Sequence, residues 1–269
     1  MTDIFSMTNS TKCIELDGKK YILRIPGKGT DKLINRHQEY KVYNAIKNYH
    51  ISDDVLYFDE NSGVKIAKFI DNARNCDSKN INDVEEGMKI IHKLHSLNIS
   101  VDFDFNLKEK INFYESLMKS TKFSYGEIKK KIFSLLDIVE KMDVKTCLCH
   151  IDPNQDNILI DRDSGKVKAL VDWEYAAMQD PVIDVAMFAI YAMYSKDEID
   201  RLFSIYSKFA KVDETAKLRY YIYIAACGLL WSNWCEYKNE LGQTFGGIYE
   251  KSQYEYAVNY SALVEDLIK

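Results

Sequence analysis

Residues 149–174 read CHIDPNQDNILIDRDSGKVKALVDWE, and the fold turns on this stretch. Two short runs of Ile, Leu and Val flank Asp163-Ser164-Gly165, which is a hairpin signal. His150, Asp152 and Asn157 stand before the hairpin; Asp172 and Glu174 follow it. A hairpin returns its two ends to one place, so these carboxylates and the carboxamide are predicted to gather. Oxygen donors of this kind suit Mg2+, which takes a few protein oxygens together with phosphate oxygens. Asp152 is then left to orient and deprotonate a hydroxyl nucleophile. A metal, an aligned acceptor and neutralised charge are what phosphoryl transfer requires. For Asp161 and Asp163, inside the hairpin, solvation of the turn is the plainer reading.

Upstream the pattern is strand-rich. KCIEL and KKYILRI flank Asp17-Gly18, and DVLYFD and VKIAKF flank Asn61-Ser62-Gly63, giving two further hairpins. Between them DKLINRHQEYKVYNAIKNY predicts a helix with Asp31 as its N-cap. The polar run IDNARNCDSKNIND follows and is predicted to be a hinge. NDVEEGMKIIHKLHSL then places Val84, Met88, Ile91 and Leu94 on one helical face, with Asn82 and Glu85 as a capping box. Helices are expected around 108–121 and 126–141, and from Val182 to the end. The chain is therefore expected to be α+β. Residues 1–70 form a small sheet lobe for a nucleotide, 71–82 a linker, and 83–269 a larger, mainly helical lobe for catalysis and substrate.

The order H-x-D-x-x-x-x-N, then D-x-E, resembles the catalytic segment of the protein-kinase-like small-molecule kinases, a group that includes aminoglycoside phosphotransferases and choline kinases. The order sheet, helix, sheet, hinge, helices is similar to theirs as well. The resemblance implies Asp152 as catalytic base, Asn157 and Asp172 as Mg2+ ligands, and His150 as the residue that fixes the catalytic loop. SMTNSTKCIELDGKKYILRIPG resembles the first hairpin of bacterial choline kinases. Thr8, Asn9 and Ser10 then face the ATP phosphates, although Phe5, Ser6 and Met7 stand where relatives often carry glycines. Arg24 and Glu39 take the places of the strand Lys and helix Glu of protein kinases; Arg keeps its charge and grips phosphate bidentately. Arg36 is either a further phosphate ligand or a surface ion pair. Phe69 and Ile70 are expected beside the adenine, and Asp184 either braces the catalytic loop or caps a helix.

Fold alone leaves the acceptor open. In GLLWSNWCEYK, Trp231 and Trp234 fall on neighbouring positions of one helix face, with Gly228 leaving space beside Trp231. Helical tryptophans are usually core residues. Aromatic faces also bind quaternary ammonium, and the W-x-x-W pair with LGQTFGGIYEKSQYEYAVNY resembles the C-terminal part of choline kinases. Tyr249 and Tyr254 are further cage candidates, and Glu174 and Tyr175 are expected to reach the same cleft, Glu174 balancing the cation. The expected activity is ATP- and Mg2+-dependent phosphorylation of choline or a similar small cationic alcohol. Ethanolamine, thiamine or an aminoglycoside are alternative acceptors, and a non-catalytic binding protein is the alternative class.

The remaining features bound this reading. A net charge of −5 gives no nucleic-acid surface. The start MTDIFSMTNSTK lacks a basic end and an apolar run, and YYIYIAACGLLW is too short to span a bilayer, so no leader and no membrane insertion are expected. Cys147 and Cys149 without a second pair are poor evidence for zinc. Free thiols and a cytoplasmic location are expected. His92 and His95 lie three apart on a helix and are read as structural.

Overall fold

The computed structural model describes residues 2–4 and 9–269, with side chains from residue 9 onward. Thr8 and the three residues before it lie outside the described residues. The N-terminal sheet has five antiparallel strands: β1 (Thr2–Ile4), β2 (Asn9–Leu16), β3 (Lys19–Pro26), β4 (Val55–Phe58) and β5 (Lys65–Lys68), in the order β1-β2-β3-β5-β4. Asp17 and Gly18, both at positive φ, turn β2 into β3, and the register sets Thr11 opposite Arg24. Arg24 in turn pairs with Lys65 on β5, so both cations stand on one face of the sheet.

The single helix predicted between the two hairpins is two. α1 (Thr30–Leu33) and α2 (Arg36–Ile46) are broken by Ile34 and Asn35, both extended. Asn35, not Asp31, caps α2 by accepting from the Gln38 amide; Asp31 sits in the first turn of α1. Its side chain is no cap because the chain has already entered the helix at Thr30.

The segment 71–82 is not uniformly irregular. Ala73–Asn75 forms β6 and pairs with β8 (Ile158–Asp161), which pairs with β9 (Val167–Leu170) to make a three-stranded sheet. α3 (Ile81–His95) is capped by Asn80, whose side chain accepts from the Asn82 amide, so the expected Asn82–Glu85 box lies two residues too far along. Val84, Met88, Ile91 and Leu94 are all buried, as the spacing requires. α4 (Leu107–Leu117) and α5 (Tyr125–Glu140) precede β7 (Cys147–Cys149), which pairs with β10 (Ala177–Gln179). The six cysteines are free.

α6 (Val182–Tyr191), α7 (Lys196–Tyr206), α8 (Ala216–Glu240) and α9 (Gly247–Leu267) complete the larger lobe. α8 packs against α4, α5, α6 and α9. It is buried almost without interruption from Arg219 to Lys238, as a helix apolar on all sides must be. No helix among the described residues is long and apolar enough to cross a membrane.

Gly228 does not leave space beside Trp231. A Cβ there would lie 2.7 Å from the Gln253 carbonyl oxygen and 2.8 Å from Tyr256 Cβ; the missing side chain lets α9 approach. Gly228→Ala is expected to lower unfolding stability by about 1–3 kcal/mol, measured by urea denaturation.

Candidate active site

The loop after β7 and the hairpin of β8 and β9 meet, as the spacing predicts. β7 ends at Cys149, and the chain then makes a bend whose Ile151 has φ 68°. A β-branched residue avoids this region, so the bend must be held from outside. Asp184, fully buried at the start of α6, accepts from the backbone amides of His150 (2.8 Å) and Ile151 (2.7 Å). His95 Nε2 donates to the same carboxylate at 2.9 Å, and Tyr206 meets its Nδ1 at 2.8 Å. His150 Nε2 donates to the Val171 carbonyl at 3.0 Å, with the ring against Trp173. This ties the loop to the segment that follows β9 and carries Asp172.

Asp152 is enclosed by amides. Asn154 Nδ2 donates to one of its oxygens at 3.0 Å and Asn157 Nδ2 to the other at 3.1 Å. Burial pushes its carboxyl up to about 8, with the charge of Asp172 acting the same way and a hydrogen bond from Tyr191 opposing. A carboxylate with a raised proton affinity suits a general base. The Val171 amide donates to the Asn157 carbonyl at 2.9 Å, which brings Asn157 and Asp172 to neighbouring ends of the hairpin.

A buried ion network joins the lobes. Arg24 Nη2 meets Glu39 at 3.0 Å and the Gly63 carbonyl at 2.9 Å; its Nη1 meets Glu39 and, at 3.3 Å, Asp172. Arg36 is no surface pair. Its Nη1 donates to Glu39 at 2.7 Å and to Glu174 at 2.9 Å, and Asn9 donates to Glu174 at 3.1 Å. Glu174 is therefore corrected: its carboxylate is committed to Arg36 and Asn9 rather than to the aromatic pair. Burial opposes its ionisation, but Arg24 and Arg36 hold its carboxyl below the usual range. Gly63 is required at φ 75° because a Cβ would stand 2.5 Å from the Arg36 side chain.

Among the described residues, Glu39, Asp172 and Glu174 set three carboxylates against the guanidiniums of Arg24 and Arg36. Burial and Glu174 push the Asp172 carboxyl up to about 7. Asp172 and Asn157 both line the cleft. Hard oxygen donors of this sort fit a divalent cation of the Mg2+ kind.

The cleft is a cavity of about 320 Å3. Phe69, Ile70 and Arg24 line it together with Tyr175, Trp231, Trp234 and Tyr249, and so do Asp152 and Asp172. Trp231 and Trp234 lie 5.8 Å apart between ring centroids, inclined at 37°. Tyr175 and Tyr191 each meet Trp231 edge-on at 5.6 Å. Tyr254 is not part of this corner: it stacks on Phe123 at 4.6 Å and donates to the Ser124 carbonyl. Ser10 is exposed, and Thr11, one residue on, lines the cleft instead. Asn154, Lys65 and Asp53 also line it without having been singled out. Lys65 sits between Asp53 (2.8 Å) and the Tyr43 hydroxyl, and only the Arg24–Lys65 register could have pointed to it.

A two-lobed chain with a base, paired oxygen donors and a cation beneath a small sheet belongs to the kinase-like phosphotransferases. The Choline/ethanolamine kinase profile matches residues 2–226, and the chain belongs to that family. It is 27% identical to Protein LicA of Haemophilus influenzae over 89% of this chain and 93% of that one. The crystal structure of choline kinase LicA from Streptococcus pneumoniae superposes with a TM-score of 0.84 at 29% identity, covering 97% of this chain and 92% of that one. A structure of LicA in complex with AMP matches at 0.84 and 28% identity, over 98% and 91%.

His150 supplies a pH test. Burial lowers its pKa from 6.5 to about 4, so the unfolded chain binds more protons than the folded one between these values. Stability from the neutral ring is complete above pH 6.5 and is lost as pH falls towards 4. From about pH 7 to pH 5 the wild type is expected to lose about 2 kcal/mol more unfolding free energy than His150→Asn, measured by denaturant titration at both pH values.

Proposed function

We propose that the chain transfers the γ-phosphate of ATP to the hydroxyl of choline. The observation that carries the acceptor is the aromatic corner: two indoles and three phenol rings line the cavity that Asp152 also lines. A trimethylammonium group donates no hydrogen bonds and is satisfied by aromatic faces. A primary ammonium needs three acceptors, and an aminoglycoside needs acidic groups spread along its length.

With the ammonium in that corner, the hydroxyl reaches Asp152. Asn154 and Asn157 fix its two oxygens, and the carboxylate takes the hydroxyl proton as the acceptor oxygen attacks. Among the described residues, buried Arg24 Nε has no hydrogen-bond partner, which leaves it as a donor for a phosphate oxygen. Glu39 and Gly63 hold the guanidinium for that purpose. Asn157 and Asp172 would hold Mg2+, whose charge would offset that of the phosphates. Phe69 and Ile70 suit the adenine.

The test is turnover with ATP on a panel of choline, ethanolamine, thiamine and an aminoglycoside. Choline is expected to have the highest kcat/KM; turnover of another acceptor alone overturns the assignment, and none at all favours a binding protein. Asp152→Asn should lower kcat by about 10²–10⁴-fold. Trp231→Ala should raise KM for choline by about tenfold and KM for ATP far less. Equal effects on both would return Trp231 to a packing role.

A further inference from the structure

The cleft carries a polar pair that neither the acceptor nor the metal uses. Asn75, the last residue of β6, donates from Nδ2 to Asp156 Oδ1 at 2.8 Å. Both residues line the cavity, and both are exposed. The other carboxylate oxygen of Asp156 has no hydrogen-bond or ion-pair partner among the described residues. An ionised carboxylate only accepts, so this oxygen is open to a donor that enters the cleft.

The course of the chain says where the pair stands. Asn75 closes the segment that starts at Phe69 and Ile70, the residues proposed for the adenine, and those two line the same cavity. Asp156 immediately precedes Asn157, one of the two residues proposed for the metal. The Asn75–Asp156 hydrogen bond therefore joins the adenine segment to the metal-ligand turn. Backbone contacts fix the joint. The Cys76 amide lies against the Gln155 carbonyl at 3.2 Å and the Ile158 carbonyl at 2.9 Å. Asn154 Oδ1 accepts from the amides of Asp156 (2.8 Å) and Asn157 (3.2 Å), while its Nδ2 holds Asp152. Asp156 is thus presented on the same turn that orients the base.

ATP has its base at one end and its phosphates at the other, and a ribose with two adjacent hydroxyls between them. We propose that Asp156, aimed by Asn75, accepts a hydrogen bond from a ribose hydroxyl and so selects a ribonucleotide. The proposal rests on the ATP reading above. A hydrogen bond from a hydroxyl to an ionised carboxylate is of the stronger, charge-assisted kind. The same carboxylate repels the phosphates of any nucleotide in the cleft. Two nucleotides that share base and phosphates but differ in the sugar hydroxyls separate these effects, because the repulsion cancels in the ratio of their affinities.

The experiment is calorimetric titration of ATP and of 2′,3′-dideoxyATP, both with Mg2+, into wild type, Asp156→Ala and Asp156→Asn. Wild type is expected to bind ATP about tenfold more tightly than the dideoxy compound, and Asp156→Ala to shrink that ratio to about threefold or less. Asp156→Asn keeps an acceptor oxygen and is expected to retain part of the ratio. The Asp156 side chain is exposed, so both variants should melt at the wild-type temperature. Equal binding of the two nucleotides by wild type, or a preference that survives in Asp156→Ala, overturns the proposal and leaves the phosphotransfer reading standing. An Asp156→Ala protein that binds neither nucleotide also overturns it, since the carboxylate then serves the metal or the loop. Wild type that binds neither nucleotide overturns the ATP reading and the proposal together.

Discussion

The structure depends on one ion network enclosed between the lobes. Arg24 of β3 and Arg36 of α2 share Glu39, and each reaches across to a carboxylate that follows the catalytic hairpin, Asp172 or Glu174. Burying charges costs several kcal/mol per ion unless each is paired and hydrogen-bonded. The network meets that condition only when sheet, helix and hairpin are all in place. Closure of the small lobe, orientation of Arg24 and placement of Asp172 are thus coupled through one network. The carboxylates at its centre make the site receptive to a divalent cation.

The catalytic loop is held on the opposite side by a second device. Ile151 stands in a backbone region its side chain disfavours, and Asp184 holds it there with two backbone amides. His95 closes the rear of that carboxylate, and neutral His150 links the loop to Val171. Asp152 is aimed by backbone geometry rather than by a flexible side chain, and its own burial raises its proton affinity. The same enclosure that shapes the loop tunes its chemistry.

The acceptor end is built on α8, the most enclosed helix of the larger lobe. Trp231 and Trp234 are core residues by exposure, at 3% and 5%, and also the wall of the cleft. The two are compatible because a side chain can be closed off from bulk solvent and still line an enclosed cavity. Gly228, on the same helix, is set by α9 and not by the tryptophans.

Much of this was legible in the sequence, for a local reason. The residues of the catalytic segment flank a hairpin, so spacing alone brings His150, Asp152, Asn157 and Asp172 together, and the helix of Val84 to Leu94 shows its buried face by period. Cap positions were misplaced by a few residues because Asn35 and Asn80 compete with nearby polar side chains that have equal local claims. The sequence by itself determined the two-lobed α+β class, the order of most elements and the gathering of polar residues at the hairpin, since these follow from periodicity, turns and near neighbours. Only the tertiary structure decided that Glu174 belongs to Arg36 and that Tyr254 leaves the aromatic corner. Those outcomes depend on which distant groups compete for one carboxylate or one ring face, and that competition is settled only when the lobes close.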